Sequence, residues 1–400
     1  MSNTELLIND TPLSLHRFPA SRDKSLQAWD ASDEFIIRHI EEQDLYSKLG
    51  NLAIINDEFG ALTCFYADYS PQVVSDSWLS HCAIRQNLSR NEKNNDINIS
   101  DALAMEELKR PLSAVLIKVP RTLAMLEHQL IALQTLVNED TLFIAAGKVK
   151  SITNTVLSLV SKHLGEPKTS LAKKKARLIF CNIDATKSSE MPYPSTVSDP
   201  SIPFDLINHA NVFCREHLDI GARMLLKHLP SGSNSIYPNL YGSDDEISHP
   251  SQKKSVIDLG CGNGVIGIQY LLNNKDDEVL FIDESFMAIA SAKAGAEKAG
   301  VSARAQFIVS DCFSELSAND INAYDLILCN PPFHQQNTIT DDIAWRMFSQ
   351  AQKYLKLNGE LRVVANRHLD YVNKFKRLFG GATVVGNNKK FIVLSAQKMR

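Results

Sequence analysis

Apolar runs of strand length alternate with stretches of helical spacing, most clearly in the second half of the chain. Ser255-Val-Ile-Asp258, Val279-Leu-Phe-Ile282, Ala305-Gln-Phe-Ile-Val309 and Tyr324-Asp-Leu-Ile-Leu-Cys329 read as four successive strands. Val265-Ile-Gly-Ile-Gln-Tyr-Leu-Leu272 reads as an amphipathic helix between the first two. Near-continuous apolar strands separated by helices predict a parallel sheet covered on both faces. Leu361-Arg-Val-Val-Ala365 and Lys390-Phe-Ile-Val-Leu394 suit two closing strands, with a helix over Tyr371 to Phe379 between them. The short return through Gly380-Gly381 and Asn387-Asn388 suits an antiparallel last strand.

A chain of 400 residues predicts two compact cores, and the first half carries a faded copy of the second. Asn51-Leu-Ala-Ile-Ile55, followed by Asn-Asp-Glu-Phe-Gly60, parallels the strand and turn at 255–264. Gln72-Val-Val-Ser-Asp76-Ser77 parallels Phe281-Ile-Asp283-Glu-Ser285, and Ala114-Val-Leu-Ile-Lys-Val-Pro120 parallels Leu326-Ile-Leu-Cys-Asn-Pro-Pro332. The fold class is therefore α/β, with two tandem Rossmann-like domains at 1–185 and 204–400. Thr186 to Pro203, rich in proline and serine, reads as their linker over 186–203. Ser231 to Lys254 is long and polar and reads as an added surface loop.

The chemistry gathers at strand ends. Asp258-Leu-Gly-Cys-Gly-Asn-Gly264 closes the first strand of the second half, with Gly260, Gly262 and Gly264 alternating with larger residues. Such a turn at a helix N-terminus lets a ligand approach the main chain. Asp258 opens the glycine loop and, with its glycines, is a candidate for cofactor binding. Val265 stands where the dinucleotide fingerprint needs its third glycine, and no Gly-Lys-Ser/Thr is present. The loop instead suits S-adenosylmethionine, which has no pyrophosphate. Asp283 ends the second strand and suits the ribose hydroxyls. Asp311 ends the third and suits the adenine amine. Taken singly, both aspartates also read as helix N-caps.

Asn330-Pro331-Pro332-Phe333 follows the fourth strand. Two prolines stop the ladder and stiffen the turn. The Asn330 side-chain oxygen and the Pro331 carbonyl then form two acceptors around one point, beside the cofactor. A planar amine donating to both turns its lone pair towards an activated methyl, so the reaction needs mainly orientation. Phe333 is placed to lie against the ring bearing that amine.

Asn-Pro-Pro-Phe-His334, with the glycine loop upstream, resembles the ribosomal RNA guanine-N2 methyltransferases, closest to those modifying large-subunit (23S) rRNA. The similarity includes Asn208-His-Ala-Asn-Val-Phe-Cys-Arg-Glu-His-Leu-Asp-Ile-Gly-Ala-Arg223, His368 within Ala365-Asn-Arg-His-Leu-Asp-Tyr371, Gln27-Ala-Trp-Asp30 and Leu116-Ile-Lys-Val-Pro120, and so runs nearly the full length. It implies class I methyltransferase domains with strand order 3-2-1-4-5-7-6. It also implies that Phe213 covers the cofactor, and that Asp219 and Gly221 shape its pocket. In the first half Lys118 replaces Asn330, Val119 replaces Pro331, and only Gly60 survives of the loop. That half is expected to be a degenerate copy, serving RNA recognition or structural support.

Composition changes the picture little. With 44% hydrophobic and 22% charged residues the chain is of globular type. The seven cysteines are scattered without a Cys-x-x-Cys pair, which suggests reduced thiols, a cytoplasmic location and no structural zinc. No secretory signal or bilayer-spanning run is evident. The net charge of −4 argues against nucleic-acid binding, but Leu361 to Arg400 holds nine Lys or Arg against one Asp, and Lys173-Lys-Lys-Ala-Arg177 adds a second basic cluster. The expected partner is large-subunit rRNA, protein-free or in an assembly intermediate, and the expected state is a monomer. Methylation of a protein glutamine amide or of adenine, or a non-catalytic RNA-binding assembly factor, remain the alternatives.

Overall fold

The computed structural model describes residues 4–399 except 9, 22, 95, 231–252 and 333–337. The predicted loop over Ser231 to Lys254 falls almost wholly outside the described residues, as do Phe333 and His334. The chain divides into two units, Met1–Tyr193 and Pro194–Arg400.

The first unit opens with a hairpin, β1 (Glu5–Ile8) and β2 (Thr11–Ser14), and helix α1 (Ala31–Glu42). There follow β3 (Leu52–Ile55), α2 (Ala61–Phe65), β4 (Gln72–Val74), α3 (Trp78–Arg90), β5 (Ile99–Ser100), β6 (Ala114–Lys118) and α4 (Leu123–Leu133). The unit closes with β7 (Leu142–Lys148), α5 (Asn154–His163), β8 (Pro167–Thr169) and β9 (Ala176–Cys181). The sheet order is β5-β4-β3-β6-β7-β9-β8, with β9 antiparallel to both neighbours. Ile54, Leu116 and Ile144 of the sheet pack with Ile36, Ile37 and Ile40 of α1.

The second unit contains β10 (Ser195–Val197), β11 (Leu206–Asn208), α6 (Ile220–Leu226), β12 (Ser255–Leu259), α7 (Val265–Asn273), β13 (Glu278–Asp283), α8 (Phe286–Lys298) and β14 (Ala305–Val309). It ends with β15 (Tyr324–Cys329), α9 (Thr338–Tyr354), β16 (Leu355–Asn366), α10 (Tyr371–Phe379), β17 (Thr383–Asn387) and β18 (Phe391–Gln397). Its order, β14-β13-β12-β15-β16-β18-β17, is the expected 3-2-1-4-5-7-6. Successive strand residues face opposite layers, as the period of two requires. Val256 and Leu328 join the core under α7 and α8, while Ile257 and Ile327 join the core with Phe348 of α9 and Phe375 of α10.

The first unit has the same strand order, and its register makes the copy explicit. Ile55 pairs with Ile117 as Leu259 pairs with Cys329. Gly60 then corresponds to Gly264, and both are left-handed N-caps, at φ 88° and 78°. Ser77 and Ser285 cap the next helices, and Lys118 falls at the place of Asn330.

The stretch expected as linker is structured at both ends. Gln134 Nε2 donates to Ser189 Oγ and Tyr193 Oη to Glu127, fastening 186–193 to the first unit, while β10 pairs with β11 in the second. Ser-Thr-Val is too short to announce a strand without its partner. No described helix is long and apolar enough to cross a membrane.

Candidate cofactor and substrate site

Parallel strands deliver their C-terminal tips to one edge of the sheet, where Gly260, Gly262, Gly264, Asp283, Asp311 and Asn330 lie. The glycine loop folds over the tip of β13: the amides of Gly260 and Cys261 both donate to the Ile282 carbonyl, at 2.8 and 3.0 Å. Gly262 N donates to Asp283 Oδ2 at 2.9 Å, and Ser285 N to Asp283 Oδ1 at 3.0 Å. The Glu284 amide adds a third hydrogen bond to this carboxylate, which still leaves acceptor capacity for a ligand hydroxyl. Burial moves the Asp283 carboxyl above its usual range, against the amides that favour its charged form.

Asp258 has a different place from the one expected of a cofactor-binding residue. It is fully buried, and its Oδ2 accepts from the Gly267 amide at 2.9 Å, so it supports the loop from beneath instead of lining the ligand face. Burial pushes its carboxyl up to about 8, with Asp283 adding to the effect. Asp311 at the tip of β14 is also committed in part: Arg346 Nη2 of α9 donates to its Oδ1 at 2.8 Å. Burial nonetheless outweighs Arg346 and raises its carboxyl.

The segment after β11 is tied to this edge. Asn263 Nδ2 donates to the buried Asn208 Oδ1 at 2.9 Å, and His209 N to Ser291 Oγ of α8 at 2.9 Å. Phe213 lies on that segment and is 54% exposed. Asp219 caps α6, and its Oδ2 receives Asn330 Nδ2 at 3.0 Å. The Oδ1 of Asn330 is buried and has no hydrogen-bond partner among the described residues. Pro331 is buried, and Phe333 lies outside the described residues. Cys261, Cys312 and Cys329 are buried thiols that burial pushes up, Cys312 to about 12, so they stay protonated. Among the described residues no three His, Cys, Asp or Glu side chains form a metal-holding group.

These features fit an adenosyl sulfonium ligand. A Cβ built at Gly262 meets no heavy atom within 4 Å, so the loop presents open main chain. Asp283 supplies acceptors, and a buried acceptor lies on the neighbouring strand tip. The contacts of Asp219, Arg346 and Asn208 were not legible in the sequence, because each bridges elements far apart along the chain.

Residues 3–185 match the family described as RLMG N-terminal domain, and residues 203–395 match the methyltransferase small domain. The chain is 46% identical to Ribosomal RNA large subunit methyltransferase G of Pseudoalteromonas atlantica, covering 99% of each. The chain belongs to the ribosomal RNA large subunit methyltransferase G family. The same-named protein of Erwinia tasmaniensis is 43% identical over 99% of this chain and 100% of its own. Among solved structures, the Thermus thermophilus 16S rRNA N2 G1207 methyltransferase, in complex with AdoMet and guanosine, aligns with a TM-score of 0.73. It covers 99% of this chain and 97% of its own at 17% identity, which establishes the shared two-domain fold.

Proposed function

We propose that this enzyme transfers a methyl group from S-adenosylmethionine to the exocyclic N2 amine of a specific guanine in 23S rRNA. The observation that carries this reading is the buried, unpartnered Oδ1 of Asn330 at the strand tip beside the glycine loop. Gly260, Gly262 and Gly264 would hold the cofactor's amino-acid side, Asp283 its ribose, the second oxygen of Asp311 its adenine, and Phe213 would cover it. When bound, the cofactor supplies a methyl already activated on a sulfonium. Asn330 Oδ1 and the Pro331 carbonyl accept the two amine hydrogens and turn the nitrogen lone pair outward, and Phe333 supports the base. The new N–C bond forms as the S–C bond breaks. The transfer requires no side chain as an essential proton acceptor, and the surplus proton leaves to water.

The first unit serves recognition or support. Its Lys118 presents donors where the reaction requires an acceptor. Guanine N2 faces the minor groove, so a flipped or single-stranded base is required. That requirement favours protein-free rRNA or an assembly intermediate. The enzyme acts as a monomer, since recognition and catalysis are joined in one chain, and in the cytoplasm, consistent with seven free cysteines.

The test is incubation with methyl-tritiated cofactor and separate pools of unmodified rRNA, DNA and protein. Label is expected in 23S rRNA at guanine N2, and label confined to protein or DNA overturns the assignment. Asn330→Ala is expected to lower turnover by at least roughly 100-fold while leaving cofactor affinity nearly unchanged.

A further inference from the structure

We propose that Asp219 is a positioning residue that decides which end of the Asn330 amide meets the substrate. The inference rests on the methyl-transfer reading above. Asn330 Nδ2 donates to Asp219 Oδ2 at 3.0 Å, across 111 residues of sequence. A carboxylate can only accept, so the amide nitrogen must face Asp219 and Oδ1 must face away. A flipped amide would set its oxygen against the carboxylate and present N–H donors to an amine that also donates. Asp219 is itself held, because the same Oδ2 accepts from Ala222 N at 2.8 Å as the N-cap of α6. The start of one helix thereby fixes the polarity of a side chain on a distant strand tip. The anionic partner also polarises the amide towards Oδ1, which strengthens as an acceptor when the amine nitrogen gains positive charge.

The first unit contains the same contact with its chemistry altered. Asp30 caps α1, the helix preceding that sheet, and Lys118 stands at the place of Asn330. Lys118 Nζ donates to Asp30 Oδ1 at 3.2 Å and to Asp33 Oδ2 at 2.7 Å. In both units, an N-cap carboxylate receives the donor offered by the tip of the fourth strand. An ammonium leaves no acceptor at its far side, whereas an amide leaves one. The aspartate thus specifies a donor towards itself, and only asparagine converts that demand into an acceptor for the substrate.

The test uses the full chain with S-adenosylmethionine and unmodified rRNA. Asp219→Ser retains a short capping oxygen but does not reach Asn330, and Asp219→Thr serves if the serine variant does not fold. Asp219→Asn keeps an acceptor oxygen for both partners. The short-cap variant is expected to lower kcat about 10- to 100-fold, a larger loss than any accompanying rise in RNA KM or cofactor Kd. Asp219→Asn is expected to retain most of the turnover. In an Asn330→Ala background, the short-cap substitution is expected to have no further effect on the single-turnover rate, because Asp219 acts only through that amide. Undiminished turnover in the short-cap variant, full multiplication of the two effects, or cofactor Kd rising in step with the loss of kcat would overturn the inference. Normal turnover of Asn330→Ala alone removes both this inference and the reading beneath it. An inactive Asn330→Ala beside an unaffected Asp219→Ser removes only this one.

Discussion

A methyl group added at Gly264 would lie 2.8 Å from Ala292 Cβ, while one added at Gly262 would meet nothing within 4 Å. Both residues have left-handed φ, 78° and 55°, so each alanine variant bears a backbone cost of roughly 1 kcal/mol. Gly264→Ala adds overpacking against α8 of about 1–3 kcal/mol and is expected to lower Tm. Gly262→Ala spares the packing but intrudes on the ligand face. It is expected to weaken cofactor binding more than tenfold, about 1.4 kcal/mol, in titration calorimetry. Equal effects of the two on Tm and on Kd would refute this division. Asp258 supports a separate prediction. Its carboxyl is pushed up to about 8 by burial, well above the roughly 3.9 of an unfolded aspartate. The folded state holds a proton that the unfolded chain has released, so this group's contribution to stability falls as pH rises from about 4 towards about 8. Asp258→Asn keeps an acceptor for the Gly267 amide and removes the titration. Relative to the parent, its stability in denaturant melts is expected to improve with pH across that window, and a constant difference would show that Asp258 does not titrate there.

Elements were legible where the physics is local. The glycine turn, the apolar strands and the Asn-Pro-Pro stop each depend on neighbouring residues, whereas the strand order was implied by the family resemblance alone. Other features depend on partners outside the local segment: β10 needs β11, Asp311 needs Arg346, and Asn330 needs Asp219. The two basic clusters also separate at this scale. Lys173 and Lys174 pair with Glu42 and Glu34 of α1, so part of that cluster's charge is spent within its own unit. The end of β16 differs. Phe391 pairs with Asn366, which brings the exposed residues Arg367, Lys389 and Lys390 together at the same sheet edge as Asn330, with Arg367 N donating to the Lys390 carbonyl at 3.0 Å. If the RNA backbone follows this edge, these exposed cations would meet its phosphates. Replacing all three with Gln is expected to reduce the slope of log(kcat/KM) for rRNA against log[salt] by up to about 2, at roughly 0.7 per single-strand phosphate contact. Cofactor Kd should be unchanged, and an unaltered salt slope would place the RNA elsewhere.

At the level of the whole molecule, one fold has been used twice, and the two copies differ in what stands at the tip of the fourth strand. In the first unit the corresponding place is occupied by the chain itself: Lys118 is held between Asp30 and Asp33, and Asp57 caps α2 through Gly60, Ala61 and Thr63. Burial raises the Asp33 carboxyl to about 6, with Lys118 opposing the shift and Asp57 and Asp30 adding to it. Burial alone would lower Lys118, but the surrounding carboxylates raise it, so it remains charged. Removing that cation strands buried carboxylates, which typically costs about 3–5 kcal/mol. Lys118→Met is therefore expected to destabilise the first unit. Asp33 already binds its proton more tightly in the folded than in the unfolded state, and loss of Lys118 raises it further. Asp33's share of the penalty must then grow as pH rises past about 6, where the parent releases the proton and the variant still holds it. Because each unit buries its own core, calorimetry should show the variant's first-unit transition shifted downward, while S-adenosylmethionine still raises the second-unit transition with an unchanged Kd. If the cofactor instead stabilised the first-unit transition, or if Lys118→Met weakened cofactor binding, the ion cluster would be part of a functional cofactor site and not the filling of a disused one.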